Sequence, residues 1–213
     1  GLSFSDTAAS AGVTVGSVGP NDQRATWGAV FFDYDNDGDE DLYVVSGHML
    51  DAGPSNVPLK QPNVLLENKG NGTFTDISLG SGADDPGFGR GGVYLDFDED
   101  GCLDLFVTNY AQGAKLFRNA CKTGNNWLTV KPVGTSSNRD SIGTRITVVT
   151  NGVKQIREIS AGSSQMGQNM LVAHFGIGPV SKVDAVTVRW PSGKIIRLTD
   201  VQANKPLVVT EPH

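Results

Sequence analysis

Apolar residues in this chain fall in short runs of strand length, with no long stretch at the three-to-four spacing of an amphipathic helix. One such run, Leu42-Tyr-Val-Val45, sits inside a pattern that occurs twice. Gly28-Ala-Val-Phe-Phe leads into Asp33-Tyr-Asp35-Asn-Asp37-Gly38-Asp39-Glu-Asp41, and then into Leu-Tyr-Val-Val. The pattern realigns 63 residues later, where Gly91-Gly-Val-Tyr-Leu leads into Asp96-Phe-Asp98-Glu-Asp100-Gly101-Cys102-Leu-Asp104 and then Leu-Phe-Val-Thr. A further strand follows in each copy, Asn63-Val-Leu-Leu-Glu-Asn68 and Lys115-Leu-Phe-Arg-Asn119. Each unit thus reads as strand, acidic loop, strand, crossing, strand.

Phe74-Thr-Asp76, with Gly82 behind it, reads as a fourth strand closing the first unit. The second unit has no counterpart, but the same pattern stands near the amino end as Phe4-Ser-Asp6 with Gly12. Residues 4–6 are therefore expected to form an unmatched strand. From about residue 125 the rhythm changes to alternating strands. Arg145 to Ile156 reads as a hairpin about Asn151-Gly152, Val186 to Leu198 as a second hairpin, and Leu207–Thr210 as a closing strand. The expectation is an all-β chain of two parts, 1–124 and 125–213, with a boundary near 120–126.

Composition narrows the class. Hydrophobic residues are 38% and charged residues 19% of 213, which suits a packed core and excludes a disordered tail. No apolar run approaches bilayer length, so no membrane span is expected. The net charge is −6, but the acids concentrate at 33–41 and 96–104, where two divalent cations would offset most of it. No basic patch is visible, which argues against nucleic acid as a partner. A start at Gly1 fits a chain freed of a leader or one trimmed at that point. Cys102 and Cys121 enclose 18 residues. They are either two unrelated thiols or a disulfide, which would contribute roughly 3 kcal/mol in the chain-entropy account.

The acidic loops carry the chemistry. Ca²⁺ takes six to eight oxygen ligands at roughly 2.3–2.6 Å, and carboxylates at alternate positions of a curled loop converge on one point. The expected ligands are Asp33, Asp35, Asp37 and Asp41, with the Asp39 carbonyl, and Asp96, Asp98, Asp100 and Asp104, with the Cys102 carbonyl. Gly38 and Gly101 stand where the loop must turn sharply. The helix–loop–helix calcium hand needs a bidentate Glu at position 12. Val44 and Val107 occupy that position here, so the loops are of a β type. Exposed Asp-Gly turns without metal are the bland alternative, but four carboxylates in nine residues repel one another, and the spacing occurs twice. Mg²⁺ fits a multi-carboxylate cage less well.

These repeats resemble the FG-GAP/VCBS units of integrin-type β-propellers. Beyond residue 125, Asn126-Trp127-Leu, Gly134-Thr-Ser-Ser-Asn138-Arg139-Asp140-Ser-Ile-Gly143, Ser160-Ala-Gly162-Ser, Gln168-Asn169, His174-Phe-Gly176-Ile-Gly178 and Val188-Arg-Trp190-Pro-Ser-Gly193 resemble the ASPIC/UnbV domain. The combination is similar to the cartilage acidic protein-like family. The resemblance implies two blade-like calcium-loop repeats followed by a β-sandwich-like domain, in a secreted calcium-binding structural or adhesion protein with no defined reaction. Two blades leave open strand edges. The carboxy-terminal domain, the amino-terminal strand or another copy must cover them, and the last cover would build an oligomer or filament. A module for an extracellular glycan or matrix partner is the alternative.

Smaller features have plainer readings. Asn71-Gly-Thr73 is a sequon or simply a hairpin turn. His174 is expected to be a packed, hydrogen-bonded histidine. Trp127 and Trp190 either fill the core or stack on sugars. Asn138-Arg139-Asp140, with Ser160-Ala-Gly162, forms either a polar ligand patch or a structural loop network. No nucleophile or acid–base constellation stands out, and the chain is expected not to be an enzyme.

Overall fold

Strands run from residue 26 to residue 210 in a computed structural model that describes residues 3–15, 24–48 and 60–213. Gly1, where the sequence begins, lies outside them. The first unit is an antiparallel sheet of four strands in chain order: β1 (Thr26–Phe32), β2 (Asp41–Ser46), β3 (Val64–Asn68) and β4 (Phe74–Asp76). The second unit has three, β5 (Gly89–Leu95), β6 (Asp104–Asn109) and β7 (Lys115–Phe117). Period-two alternation decides what lies inside: Val30 and Phe32 of β1 are buried while Ala29 and Phe31 face out. Val30, Phe32, Tyr43, Val45 and Leu65 share one core with Leu103, Leu105 and Val107 of the second sheet. Each such side chain contributes about 1.5–3 kcal/mol by leaving water.

The carboxy-terminal part is two open sheets around a separate core. One has the order β10 (Val153–Glu158), β9 (Arg145–Thr150), β12 (Lys182–Arg189), β13 (Ile195–Gln202). The other has β11 (Ala173–Gly178), β8 (Asn126–Val133), β14 (Pro206–Thr210), with β14 parallel to β8. Leu128, Val130, Ile146, Val148, Phe175, Val186 and Trp190 fill the space between them. Both expected hairpins are present: Thr150 pairs with Val153 across Asn151-Gly152, and β12 pairs with β13. Asn151 and Gly152 both have positive φ, as the two-residue turn requires. The chain is all-β, with no closed barrel among the described residues.

One expected strand is absent. Residues 3–7 pair with no strand among the described residues, Phe4 is fully exposed, and the chain turns into the single helical turn α1 (Ala8–Ala11). Phe74–Asp76 is a strand because β3 offers it an edge, with Asn68 opposite Phe74. Phe4–Asp6 has no such edge, and a lone strand does not form. The rest of the motif behaves alike in both places. Asp6 Oδ1 accepts from Ala8 N and Asp76 Oδ1 from Ser78 N, ahead of α1 and α2 (Ser78–Ser81). Gly12 and Gly82 then end the turns in the left-handed conformation.

Candidate metal centres

The two acidic loops share most of their hydrogen bonds, and the first adds one from Asp37 N to Asp35 Oδ1 at 3.2 Å. Asp33 Oδ1 and Oδ2 accept from Asp37 N (3.2 Å) and Gly38 N (2.9 Å); Asp96 does the same with Asp100 N (3.1 Å) and Gly101 N (3.0 Å). Asp37 Oδ1 accepts from Asp39 N at 2.8 Å, and Asp100 Oδ1 from Cys102 N at 2.9 Å. Gly38 (φ +103°) and Gly101 (φ +87°) occupy a region that side chains rarely adopt, which fixes glycine at the turn. Asn36 and Glu99 also have positive φ at matching positions.

The last carboxylate of each loop closes it. Asp41 Oδ2 accepts from Tyr34 N (3.0 Å) and Oδ1 from Asn68 N (2.8 Å). Asp104 repeats this with Phe97 N (3.1 Å) and Asn119 N (2.7 Å). The Asn68 and Asn119 side chains bind the Glu40 and Leu103 carbonyls in return. Asn68 ends β3 and Asn119 follows β7 by two residues, at matching places in the repeat, so the repeat itself was the signal for them.

Three carboxylates per loop come together. One oxygen from each of Asp33, Asp35 and Asp37 lies within 4.8 Å of the others, and the same holds for Asp96, Asp98 and Asp104. A cation with Ca–O distances of about 2.3–2.6 Å spans that separation. Asp41 lies outside the first trio. In the second loop Asp100 lies outside, beside the Cys102 and Cys121 sulfurs. Asp39 is exposed. Cys102 is buried and disulfide-bonded to Cys121, with Cα atoms 5.9 Å apart.

Electrostatics suit a cation in both loops. Burial pushes the Asp33 carboxyl up to about 7, against its bond to Gly38 N and aided by repulsion from Asp37 and Asp35. Burial pushes Asp41 up to about 8, against the amides of Asn68 and Tyr34. Asp35, Asp37, Asp96 and Asp104 are also raised, again chiefly by burial. A divalent ion among these oxygens restores the ionised form. The donor set, all hard oxygen, fits Ca²⁺.

The loops differ in one neighbour that sequence reading missed. Arg118 donates from Nε to Asp98 (2.6 Å) and from Nη2 to Asp100 (3.0 Å). Glu67 holds the matching place in the first unit and adds negative charge near Asp35 and Asp37.

The loops also form the seam with the carboxy-terminal part. His174 Nε2 lies 3.0 Å from the Gly101 carbonyl; a carbonyl only accepts, so Nε2 carries the proton. Burial lowers the pKa of His174 to about 4, which keeps it neutral. Asn36 Nδ2 reaches the same carbonyl at 3.3 Å, and Gly178 N donates to Asn36 O at 2.9 Å. Arg157 pairs with Glu40 at 3.2 Å. The segment after β7 donates to the first loop through Asn119 to Tyr34 O and Thr123 and Asn125 to Asp35 O.

The smaller features settle into structural places. Trp190 is in the core, and Trp127 lies against Gly101. Arg139 pairs with Asp140 on the surface, and the Asn138 side chain binds the backbone of Ile142. Asn71 lies exposed in the turn between β3 and β4.

Comparison with known proteins agrees with this layout. Residues 134–213 match the family described as ASPIC and UnbV. Cartilage acidic protein 1 of Xenopus tropicalis is 29% identical over 187 residues, covering 85% of this chain and 28% of the relative. The Mus musculus protein of that name is 32% identical over 168 residues (77% and 25%), and the Homo sapiens one 33% over 137 (62% and 20%). The chain thus spans about a quarter of the length of the curated relatives it matches. Residues 134–213 are an ASPIC and UnbV domain, carried in a chain similar over most of its length to cartilage acidic protein 1.

Proposed function

We propose that this chain is a calcium-braced, non-catalytic structural or adhesion module of an extracellular protein. Its two amino-terminal sheets act as blade-like repeats of the FG-GAP/VCBS kind. The observation that carries this reading is the pair of acidic loops with matching bonds from the first aspartate to the glycine amide, each bringing three carboxylates together. Each loop binds one Ca²⁺, which cancels carboxylate repulsion and couples the fold of both units to the metal. The Cys102–Cys121 disulfide suits an oxidising compartment, and the relatives are named for cartilage. The outer edge of β7 pairs with no strand among the described residues and serves for addition of further β-structure, including other copies of the chain.

A glycan-binding reading has less support from the tryptophans. Trp27 lies 4.4 Å beneath the Arg90 guanidinium, Trp127 is seated on Gly101, and Trp190 is buried.

Titration calorimetry with Ca²⁺ should count two ions per chain, and a chelator should lower the melting temperature on the order of 5–10 °C. A melting curve indifferent to chelator, with no heat of calcium binding, would overturn the reading.

A further inference from the structure

We infer that the ASPIC and UnbV domain docks on the calcium loops themselves, so that calcium occupancy and closure of the seam between the two parts of the chain stabilise each other. This inference rests on the calcium reading and adds a second site of action to it. The curled form of each loop, the one that brings its carboxylates together, is also the form the domain contacts. Gly176 of β11 lies so close to the first loop that a methyl group there would sit 2.1 Å from Asp33 Oδ2 and 2.5 Å from the Asn36 backbone. Trp127 of β8 covers the turn of the second loop, where a methyl on Gly101 would meet the indole at 1.8 Å. The Gly101 carbonyl takes hydrogen bonds from Asn36 of the other loop and from His174 of the domain, so one oxygen joins all three elements.

The ligand geometry and the docking surface are therefore one backbone conformation. Without an ion, carboxylate repulsion favours opening of the loops. Opening would withdraw Asn36 O from Gly178 N, Gly101 O from His174, and Glu40 from Arg157. By linkage, whatever calcium adds to docking, docking adds to calcium affinity.

A second contact, on the strand that leads into the second loop, gives a further readout. Residues 163–170 of the domain lie across the inner strands. Asn169 Oδ1 accepts from Tyr94 N (3.1 Å), and Met170 N donates to Tyr94 O (3.5 Å). Val93 approaches Gly167, and Ser164 faces Gly28.

The test uses the whole chain with Ca²⁺ as the probe. Arg157→Gln, which breaks the pair with Glu40, should weaken calcium affinity about tenfold even though it removes a positive charge that acts on Asp33; Gly176→Ala crowds Asp33 itself and checks only the close approach. Arg157→Gln leaves the backbone geometry unaltered and decides the matter if Gly176→Ala does not fold. In the unaltered chain, calcium should slow hydrogen exchange across 163–170, and Asp35→Asn should reduce that slowing. Calcium binding of unchanged affinity in Arg157→Gln, with exchange at 163–170 indifferent to calcium, overturns this inference and leaves the calcium sites standing. Absence of calcium binding to the unaltered chain overturns both.

Discussion

At the scale of single residues, the two loops match in backbone and differ in counter-charge. Arg118 places a guanidinium on Asp98 and Asp100, whereas Glu67 adds an acid beside the first loop. An ion entering the second loop must displace or share with that arginine, whereas at the first Glu67 adds an acid that its ion pair with Lys69 offsets only in part. The first loop should therefore bind calcium more tightly. Arg118→Ala should raise the affinity of the second loop several-fold and leave the first unchanged, as two-site calorimetry would show; equal and unaltered sites would count against it. The six carboxylates of the two trios were legible in the sequence because alternate acids around a glycine turn report local geometry. The partition was not: Asp41 and Asp104 make matching bonds to amides of their own loop and of distant Asn68 and Asn119, yet only Asp104 joins a trio. Arg118 was hidden because it follows β7 and meets Asp98 and Asp100 through the pairing of that strand with β6.

At the scale of elements, turn chemistry made the hairpins readable, and partner availability decided the rest. Asn151-Gly152 fixes a register by itself, whereas Phe-x-Asp specifies a strand only where an edge awaits it, as β3 does for Phe74 and no described strand does for Phe4. The residues just before Asn138-Arg139-Asp140, which with Ser160-Ala-Gly162 read as either a ligand patch or a loop network, bind the chain's own Glu211. Three successive amides, Thr135, Ser136 and Ser137, each donate to Glu211 Oε2 at 2.8 Å, and the Ser137 and Ser192 hydroxyls hold Oε1. Burial opposes ionisation there, but the amides of Ser137, Thr135 and Ser136 and the Ser192 hydroxyl outweigh it and hold the carboxyl at about 2, below its ordinary 4.5. A depressed carboxyl stabilises the fold above the unfolded value and loses that contribution as pH falls through the folded one. Acid should thus weaken the anchor of β14 between about pH 4.5 and 2. Glu211→Gln should lower the melting temperature by several degrees at pH 7 and flatten its acid limb over that window. A variant that tracks the parent's acid limb would show that the anchor contributes nothing.

At the scale of the whole molecule, the organising problem is that two sheets of four and three strands leave edges that the repeats cannot cover. The inner edge at β5 is met by residues 163–170, so the carboxy-terminal domain supplies one of the covers that the sequence left open. The opposite edge differs between the units. In the first, β4 closes β3; in the second, β7 has no strand beyond it among the described residues, and Leu116 there is 46% exposed. An exposed strand edge with apolar side chains templates further pairing. The edge at β7 should therefore drive association of this chain at high concentration when calcium holds the loops in place. Light scattering should show species larger than one chain that disappear in Leu116→Lys, because a charge on a three-residue edge strand discourages addition. A single-chain mass at every concentration, with calcium present, would mean that β7 is too short to recruit a partner and that the cover for this edge must come from other β-structure.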